Sequence, residues 1–218
     1  MLKAVVYDAY GTLYDVHSVI QRCENLFPGK GPQLSQMWRT KQLEYTWQRS
    51  LMDRYAPFST VTQEALAYAC AALGLELGEE AKQALLREYR ALACFPDVRP
   101  ALERLGGMRQ AILSNGSPDM LDPLVAQSGL RFDAVLSVDA VRIFKPSPAV
   151  YRLVLDAFGV QPGEVAFVSS NCWDALGARH FGFASYWINR TRAPVDKLGV
   201  EPVAVLRSLG DLPDEVLR

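Results

Sequence analysis

The chain has 218 residues, half of them hydrophobic and 22% charged, with a formal net charge of −1. That length suits one globular unit, or a core carrying an insertion, and buries enough surface to need no disulfide or metal staple. Near-balanced charge argues against nucleic-acid and membrane-surface partners, which call for a basic patch. The spacing of apolar runs excludes collagen-like, disordered and coiled-coil classes.

Four cysteines (Cys23, Cys70, Cys94 and Cys172) are scattered without a CxxC pair, and only His17 and His180 accompany them. A Cys/His zinc site is not expected from that set. The N-terminus reaches Asp8 after a short apolar run, which fits neither a signal peptide nor a membrane span. A cytoplasmic protein with reduced thiols is the expectation.

In chain order, Lys3 to Tyr7 is a continuous apolar run ending on Asp8 and then Gly11. Such a run reads as a buried parallel strand that delivers an acid into a loop. From Val16 to Ala93 the rhythm becomes helical. Pro32 to Tyr55, Thr62 to Leu73 and Glu79 to Ala93 read as helices, within an insertion expected to hold four. Phe95-Pro96-Asp97 is the expected return to the core. Gln110–Leu113, Ala134–Leu136, Val165–Val168 and Ala184–Ile188 complete five expected strands. Helix-period segments Pro118–Ser128, Pro148–Phe158 and Trp173–Phe181 alternate with them. The alternation predicts an α/β fold: a Rossmann-like parallel sheet core, residues 1–13 and 96–218, with an inserted helical cap subdomain, 14–95. Ligands in such sheets bind beyond the carboxyl ends of the strands, where Asp8, Ser114 and Ser169 fall.

Four segments carry chemistry. Asp8-Ala9-Tyr10-Gly11-Thr12-Leu13 sets a carboxylate in a nest of backbone N–H groups, which keeps it ionised as a nucleophile requires. Taken alone, it serves equally as a strand-end acid capping a turn. Leu113-Ser114-Asn115-Gly116 places a hydroxyl and an amide at the next strand end. Phe144-Lys145-Pro146 fixes a lysine in a loop. Ser169-Ser170-Asn171-Cys172-Trp173-Asp174 brings hydroxyls, an amide and a second acid to a strand–helix junction.

In that order, the segments resemble the haloacid dehalogenase superfamily across the whole chain. Two departures from its commoner phosphatase pattern select the branch. Tyr10 stands where phosphatases carry a second Asp, and Ser169-Ser170 stand where they carry a Gly-Asp pair for Mg²⁺. Mg²⁺ favours an octahedron of hard oxygens anchored by carboxylates, and only Asp8 and Asp174 remain. No metal and no cofactor are expected.

DAYGTLYDVHS, MWRTKQLEYTW, ILSNGS, FKPSPAVY and FVSSNCWDALGA resemble segments of the L-2-haloacid dehalogenase family. The resemblance implies Asp8 as nucleophile and Thr12 as a hydroxyl supporting it. It implies that Ala9 and Tyr10 N–H and the Ser114 hydroxyl hold the substrate carboxylate. Arg39 and Asn115 would receive the halide. Lys145 would lie beside Asp8, with Tyr151 positioning that lysine. Ser169, Asn171 and Asp174 would arrange and activate water, while Phe58 and Trp173 would join Tyr10 around a tight pocket for two- and three-carbon acids. The implied reaction turns a small (S)-2-haloalkanoate into the (R)-2-hydroxy acid, and the implied assembly is a homodimer.

The residues alone leave other readings open. Arg39 shares four-residue steps with Leu43 and Trp47, which suits an arginine lying along an apolar helix face. Lys145 and Ser114-Asn115-Gly116 also suit ordinary loops, and Phe58 and Trp173 ordinary core. Asp15 and His17 read as a solvated hinge, and His180 as structural. A Mg²⁺-dependent phosphatase and an idle binding protein for small carboxylates are the alternative functions.

Overall fold

The computed structural model describes all residues 1–218. Six parallel strands form one sheet: β1 (Ala4–Tyr7), β2 (Arg109–Ser114), β3 (Ala134–Ser137), β4 (Val165–Ser169), β5 (Ala184–Ile188) and β6 (Ala204–Leu206). Their order is β3-β2-β1-β4-β5-β6, so the chain winds outward in one direction from β1 and in the other from β4. Residues of β1 and β4 are buried throughout, as strands covered on both faces must be. The sixth strand lies outside the five expected. It is a three-residue edge paired to β5 through Tyr186–Ala204, Trp187–Val205 and Ile188–Leu206, with Val205 exposed at its centre.

Helices α1 (His17–Leu26), α2 (Gly31–Leu51), α3 (Phe58–Ala72) and α4 (Glu79–Glu88) follow β1 without an intervening strand. Helix α2 stops before the expected Tyr55 because Asp53 turns into the left-handed region at φ 54°. Helix α3 begins at Phe58, directly after Pro57, and not at Thr62. Helix α4 ends short of Ala93. His17 is the exposed first residue of α1, where its N–H donates to Asp15 Oδ1 at 2.8 Å.

The outgoing and returning chains run side by side. Asp15 N–H donates to Ala93 O at 2.8 Å, and Phe95 N–H donates to Leu13 O at 3.0 Å. The core then adds α5 (Val98–Arg104), α6 (Pro118–Ser128), α7 (Pro148–Phe158), α8 (Cys172–Phe181) and α9 (Leu212–Val216). Trp38, Phe58 and Leu66 of the insert share one apolar cluster with Tyr7, Ile112 and Phe167 of the core. Polar ties add to it: Phe144 N–H donates to Ser50 Oγ at 3.1 Å, Arg90 pairs with Asp119 at 2.9 Å, and the Tyr55 hydroxyl donates to Asp139. The insert therefore rests against the carboxyl edge of the sheet.

Candidate active site

The sheet changes winding direction between β1 and β4, which opens a crevice beyond their carboxyl ends. Asp8 sits there, its N–H extending the strand ladder to Val168 O at 2.8 Å. Ser114 ends β2 and Ser169 ends β4 on either side. Lys145 arrives from the loop before α7, and Asp174 from the first turn of α8. Four separate chain segments thus converge on one point.

Lys145 is the centre of that convergence. Its Nζ lies 3.1 Å from Asp8 Oδ1 and 2.9 Å from Asp174 Oδ2, and the lysine is 1% exposed. Burial alone would lower the lysine pKa, but the charges of Asp174 and Asp8 outweigh it and hold the pKa above its ordinary value. Asp174 is fully buried, and that burial pushes its carboxyl up to about 6 against the pull of Lys145. The site therefore combines a fixed cation with a carboxylate poised near neutrality, as a general base requires.

The second oxygen of Asp8 has its own donors. Oδ2 accepts from the Thr12 hydroxyl at 3.1 Å and from Asn171 Nδ2 at 3.0 Å. Thr12 Oγ1 in turn accepts the N–H of Ser170 at 2.8 Å. Gly11 makes the intervening turn possible with φ 86°, and a Cβ there would meet Ser170 Oγ at 3.0 Å. Ser169 makes no hydrogen bond to Asp8; its hydroxyl accepts the N–H of Asn171 at 3.1 Å and so orients the loop.

Tyr151 reaches the lysine only through Asp174. Its hydroxyl donates to Asp174 Oδ1 at 2.8 Å and makes no bond to Lys145. The cause lies in the helices. Tyr151, near the start of α7, faces α8, and Lys145 Nζ has already turned toward the two carboxylates.

Next to Asp8 in sequence, and at the end of β2, three backbone donors are unused. The N–H groups of Ala9, Tyr10 and Asn115 make no hydrogen bond within the chain. The Ser114 hydroxyl accepts from Gly116 N–H at 3.0 Å, leaving its own proton free to donate. Asn115 Oδ1 accepts the Lys145 N–H at 3.0 Å, so its Nδ2 group is turned away with protons to give. Together these donors suit an anion.

Aromatic rings close the site. Tyr10 packs against Phe58 with centroids 5.9 Å apart, and Trp173 meets Trp47 edge-on at 5.5 Å. Arg39 of α2 is half-buried, its charge acting on the Tyr10 and Tyr89 hydroxyls. It forms no ion pair, and its one hydrogen bond runs from Nη1 to Gln42 Oε1 at 2.7 Å. Such a cation is held near Tyr10 without a counter-charge.

Sequence reasoning passed over several supports of this arrangement. Ser170 is the serine against Thr12. Arg190 pairs with Asp97 at 2.8 and 3.1 Å and reaches Thr12 O at 3.4 Å, which ties the first loop to the returning chain. Gln42 is fully buried behind Arg39. The adjacency of Ser170 to Asn171 was a usable signal. The long-range pairs left none.

A model of the haloacid dehalogenase-like hydrolases matches residues 2–182. The chain is similar to an (S)-2-haloacid dehalogenase of Pseudomonas sp. (strain YL), 47% identical over 97% of this chain and 94% of that one. It is 46% identical to haloacetate dehalogenase H-2 of Moraxella sp. (strain B), over 92% of each chain. Among solved structures, L-2-haloacid dehalogenase from Xanthobacter autotrophicus with chloropropionic acid covalently bound superposes with a TM-score of 0.93. That likeness is at 46% identity, over 100% of this chain and 99% of the other.

Proposed function

This chain belongs to the haloacid dehalogenase-like hydrolases, and on that premise we infer that it hydrolyses the carbon–halogen bond of short (S)-2-haloacids. The observation that carries the reading is the Asp8–Lys145–Asp174 triplet, with two acids 3.1 and 2.9 Å from one buried ammonium, set beside Tyr10 where the superfamily's phosphatases carry a further acid. Neither alternative, phosphatase or idle carboxylate-binding protein, has support in the relatives or in this geometry.

The substrate carboxylate takes the free N–H groups of Ala9, Tyr10 and Asn115 and the Ser114 hydroxyl. That places carbon 2 before Asp8. A carboxylate approaching an anion meets repulsion, which Lys145 and Arg39 offset in a water-poor site. An Asp8 oxygen attacks carbon 2 from behind the carbon–halogen bond. The bonding pair leaves with the halide toward Arg39 and Asn115 Nδ2, and the carbon inverts.

An ester on Asp8 results. Asp174 then removes a proton from water, which attacks the ester at the Asp8 carbonyl carbon. Collapse of the tetrahedral adduct breaks the Asp8 acyl–oxygen bond. The hydroxy-acid oxygen takes the proton that Asp174 holds, and the proton left on the Asp8 carboxyl passes to solvent, so both carboxylates are regenerated. Thr12, Asn171 and the Ser169-held loop fix Asp8 through both steps. Tyr10, Phe58 and Trp173 limit the space to two- and three-carbon acids.

The reaction needs no metal in this reading, which rests on Tyr10 and Ser169-Ser170 standing where the superfamily's phosphatases carry the acids of a Mg²⁺ site. The charge of Lys145, 3.1 Å from Asp8 and 2.9 Å from Asp174, answers both remaining carboxylates. Residues 14–95 act as a cap that closes over the site and excludes bulk water. The resemblance supports a homodimer, which sedimentation would test. No helix is long and apolar enough to cross a membrane. All four cysteines are free, which supports a reducing, cytoplasmic setting.

One assay tests this function. (S)-2-chloropropionate should yield chloride and (R)-lactate, its enantiomer should not react, and a chelator should leave the rate unchanged. Loss of turnover with chelator, or Mg²⁺-dependent hydrolysis of p-nitrophenyl phosphate, would replace it with the phosphatase reading.

A further inference from the structure

Gln42 is a neutral amide buried without exposure and hydrogen-bonded to Arg39, the half-buried arginine whose charge acts on Tyr10. Burying a polar side chain is unfavourable unless its hydrogen bonds are met. Those of Gln42 are met by a directional chain. Arg39 Nη1 donates to Gln42 Oε1 at 2.7 Å, and Gln42 Nε2 donates to Thr62 Oγ1 at 2.7 Å. The Thr62 hydroxyl donates to Phe58 O at 2.7 Å, while Trp38 Nε1 donates to Thr62 O at 2.8 Å. Reversing the amide would set its NH₂ against the guanidinium, so only one orientation satisfies the relay.

From this geometry we propose that Gln42, braced by Thr62, is the positioning residue that aims Arg39 at the departing halide while leaving its charge unspent. The proposal rests on the dehalogenase reading above. Its physical content is the choice of a neutral acceptor. A carboxylate at position 42 would hold the guanidinium as firmly, but as an ion pair it would cancel the field that a halide must feel. An apolar residue would keep the charge and lose the aim. Glutamine meets both demands, since it accepts one guanidinium N–H and carries no charge. Thr62 fixes the amide from α3, the helix that also supplies Phe58, so one helix carries both the brace behind Arg39 and the aromatic wall.

The test compares Gln42→Glu, Gln42→Met, Thr62→Val and Thr62→Ser by two separate readouts. One is bromide affinity, from product inhibition and from titration calorimetry on resting enzyme. The other is kcat and KM on chloroacetate and bromoacetate. Gln42→Glu and Gln42→Met should weaken bromide binding and lower kcat by roughly 10- to 100-fold, the range seen when a group supporting a ligand is removed. KM should change less than kcat. Chloroacetate should suffer more than bromoacetate, because the poorer leaving group depends more on Arg39. Thr62→Val should reproduce a smaller part of the loss and Thr62→Ser, which keeps the hydroxyl, should restore it. These threonine variants keep the proposal testable if the Gln42 variants fold poorly. Wild-type bromide affinity and an unchanged bromo-to-chloro ratio in Gln42→Glu or Thr62→Val would overturn the proposal alone. Absence of halide release by the wild-type chain would overturn the dehalogenase reading and this proposal together.

Discussion

The Tyr151 hydroxyl donates to Asp174 Oδ1 at 2.8 Å, inside a layer where neither residue meets solvent. A hydrogen bond to the ionised form favours that form, so Tyr151 works against the burial that pushes Asp174 up to about 6. Asp174 must be ionised to take a proton from water. Activity should therefore rise with pH through about 6, and Tyr151→Phe should move this acid limb to higher pH. Steady-state kcat across pH 4.5–9 would check it, on the basis that a shift of about one unit represents ~1.4 kcal/mol. An acid limb that stays in place would show that Asp174 does not depend on Tyr151.

Lys145→Met gives a stability prediction with a sign. It leaves Asp8 and Asp174 facing each other in a buried site with no cation. Breaking a buried pair in this way costs about 3–5 kcal/mol. A carboxyl whose folded pKa lies above its unfolded value binds a proton more readily when folded, so stability grows as pH falls through the folded pKa. Without Lys145, Asp174 should titrate above its present value of about 6. The deficit relative to wild type should be largest near pH 8 and shrink by pH 5, as urea unfolding would report. A deficit equal at both pH values would mean that charge is not its origin.

Gly177 of α8 has no room for a methyl group. A Cβ there would lie 2.6 Å from Pro146 Cβ and 2.7 Å from the Tyr151 hydroxyl. Both neighbours belong to the site's framework, one fixing the loop after Lys145 and the other bonded to Asp174. Gly177→Ala should lower stability by about 1–3 kcal/mol through overpacking. It should also lower kcat more than KM, because the displaced groups act on the chemical steps. Thermal unfolding alongside steady-state kinetics would separate the two, and wild-type values in both would show that the helix can shift without cost.

What the sequence disclosed, and what it withheld, follow from one distinction. An apolar run that ends on a polar residue announces a strand and its carboxyl end together, so Asp8, Ser114 and Ser169 were legible from local pattern. The insertion was legible because helical rhythm replaces strand rhythm between Val16 and Ala93. Pairings across the fold were not. Whether Ser169 or Ser170 meets Thr12 depends on the backbone turn where β4 ends. Whether Tyr151 serves Lys145 or Asp174 depends on how α7 packs on α8. Arg190 and Asp97 lie 93 residues apart in sequence, and Gln42 and Thr62 are on different helices. β6 escaped because the apolar run Val203-Ala204-Val205-Leu206 is too short to tell an edge strand from a loop.

The last prediction follows an oxygen atom. If Asp8 attacks carbon 2 directly, the oxygen first carried into the product comes from its own carboxylate. Water then adds at the Asp8 carbonyl carbon, so a solvent oxygen stays on the protein. With enzyme in excess over substrate in ¹⁸O-labelled water, the label should appear in the peptide containing Asp8. Hydroxy acid from that first turnover should be essentially unlabelled. Asp174→Asn removes the base, which should slow ester cleavage more than halide release and make an early burst of halide visible. The bond from Lys145 to Asp8 at 3.1 Å survives that change, so attack on carbon retains its cation. Direct attack of water on the substrate also inverts carbon 2, so stereochemistry cannot separate the two routes. Label in the first-turnover product with none on Asp8 would refute the covalent route and make Asp8 a base acting on water.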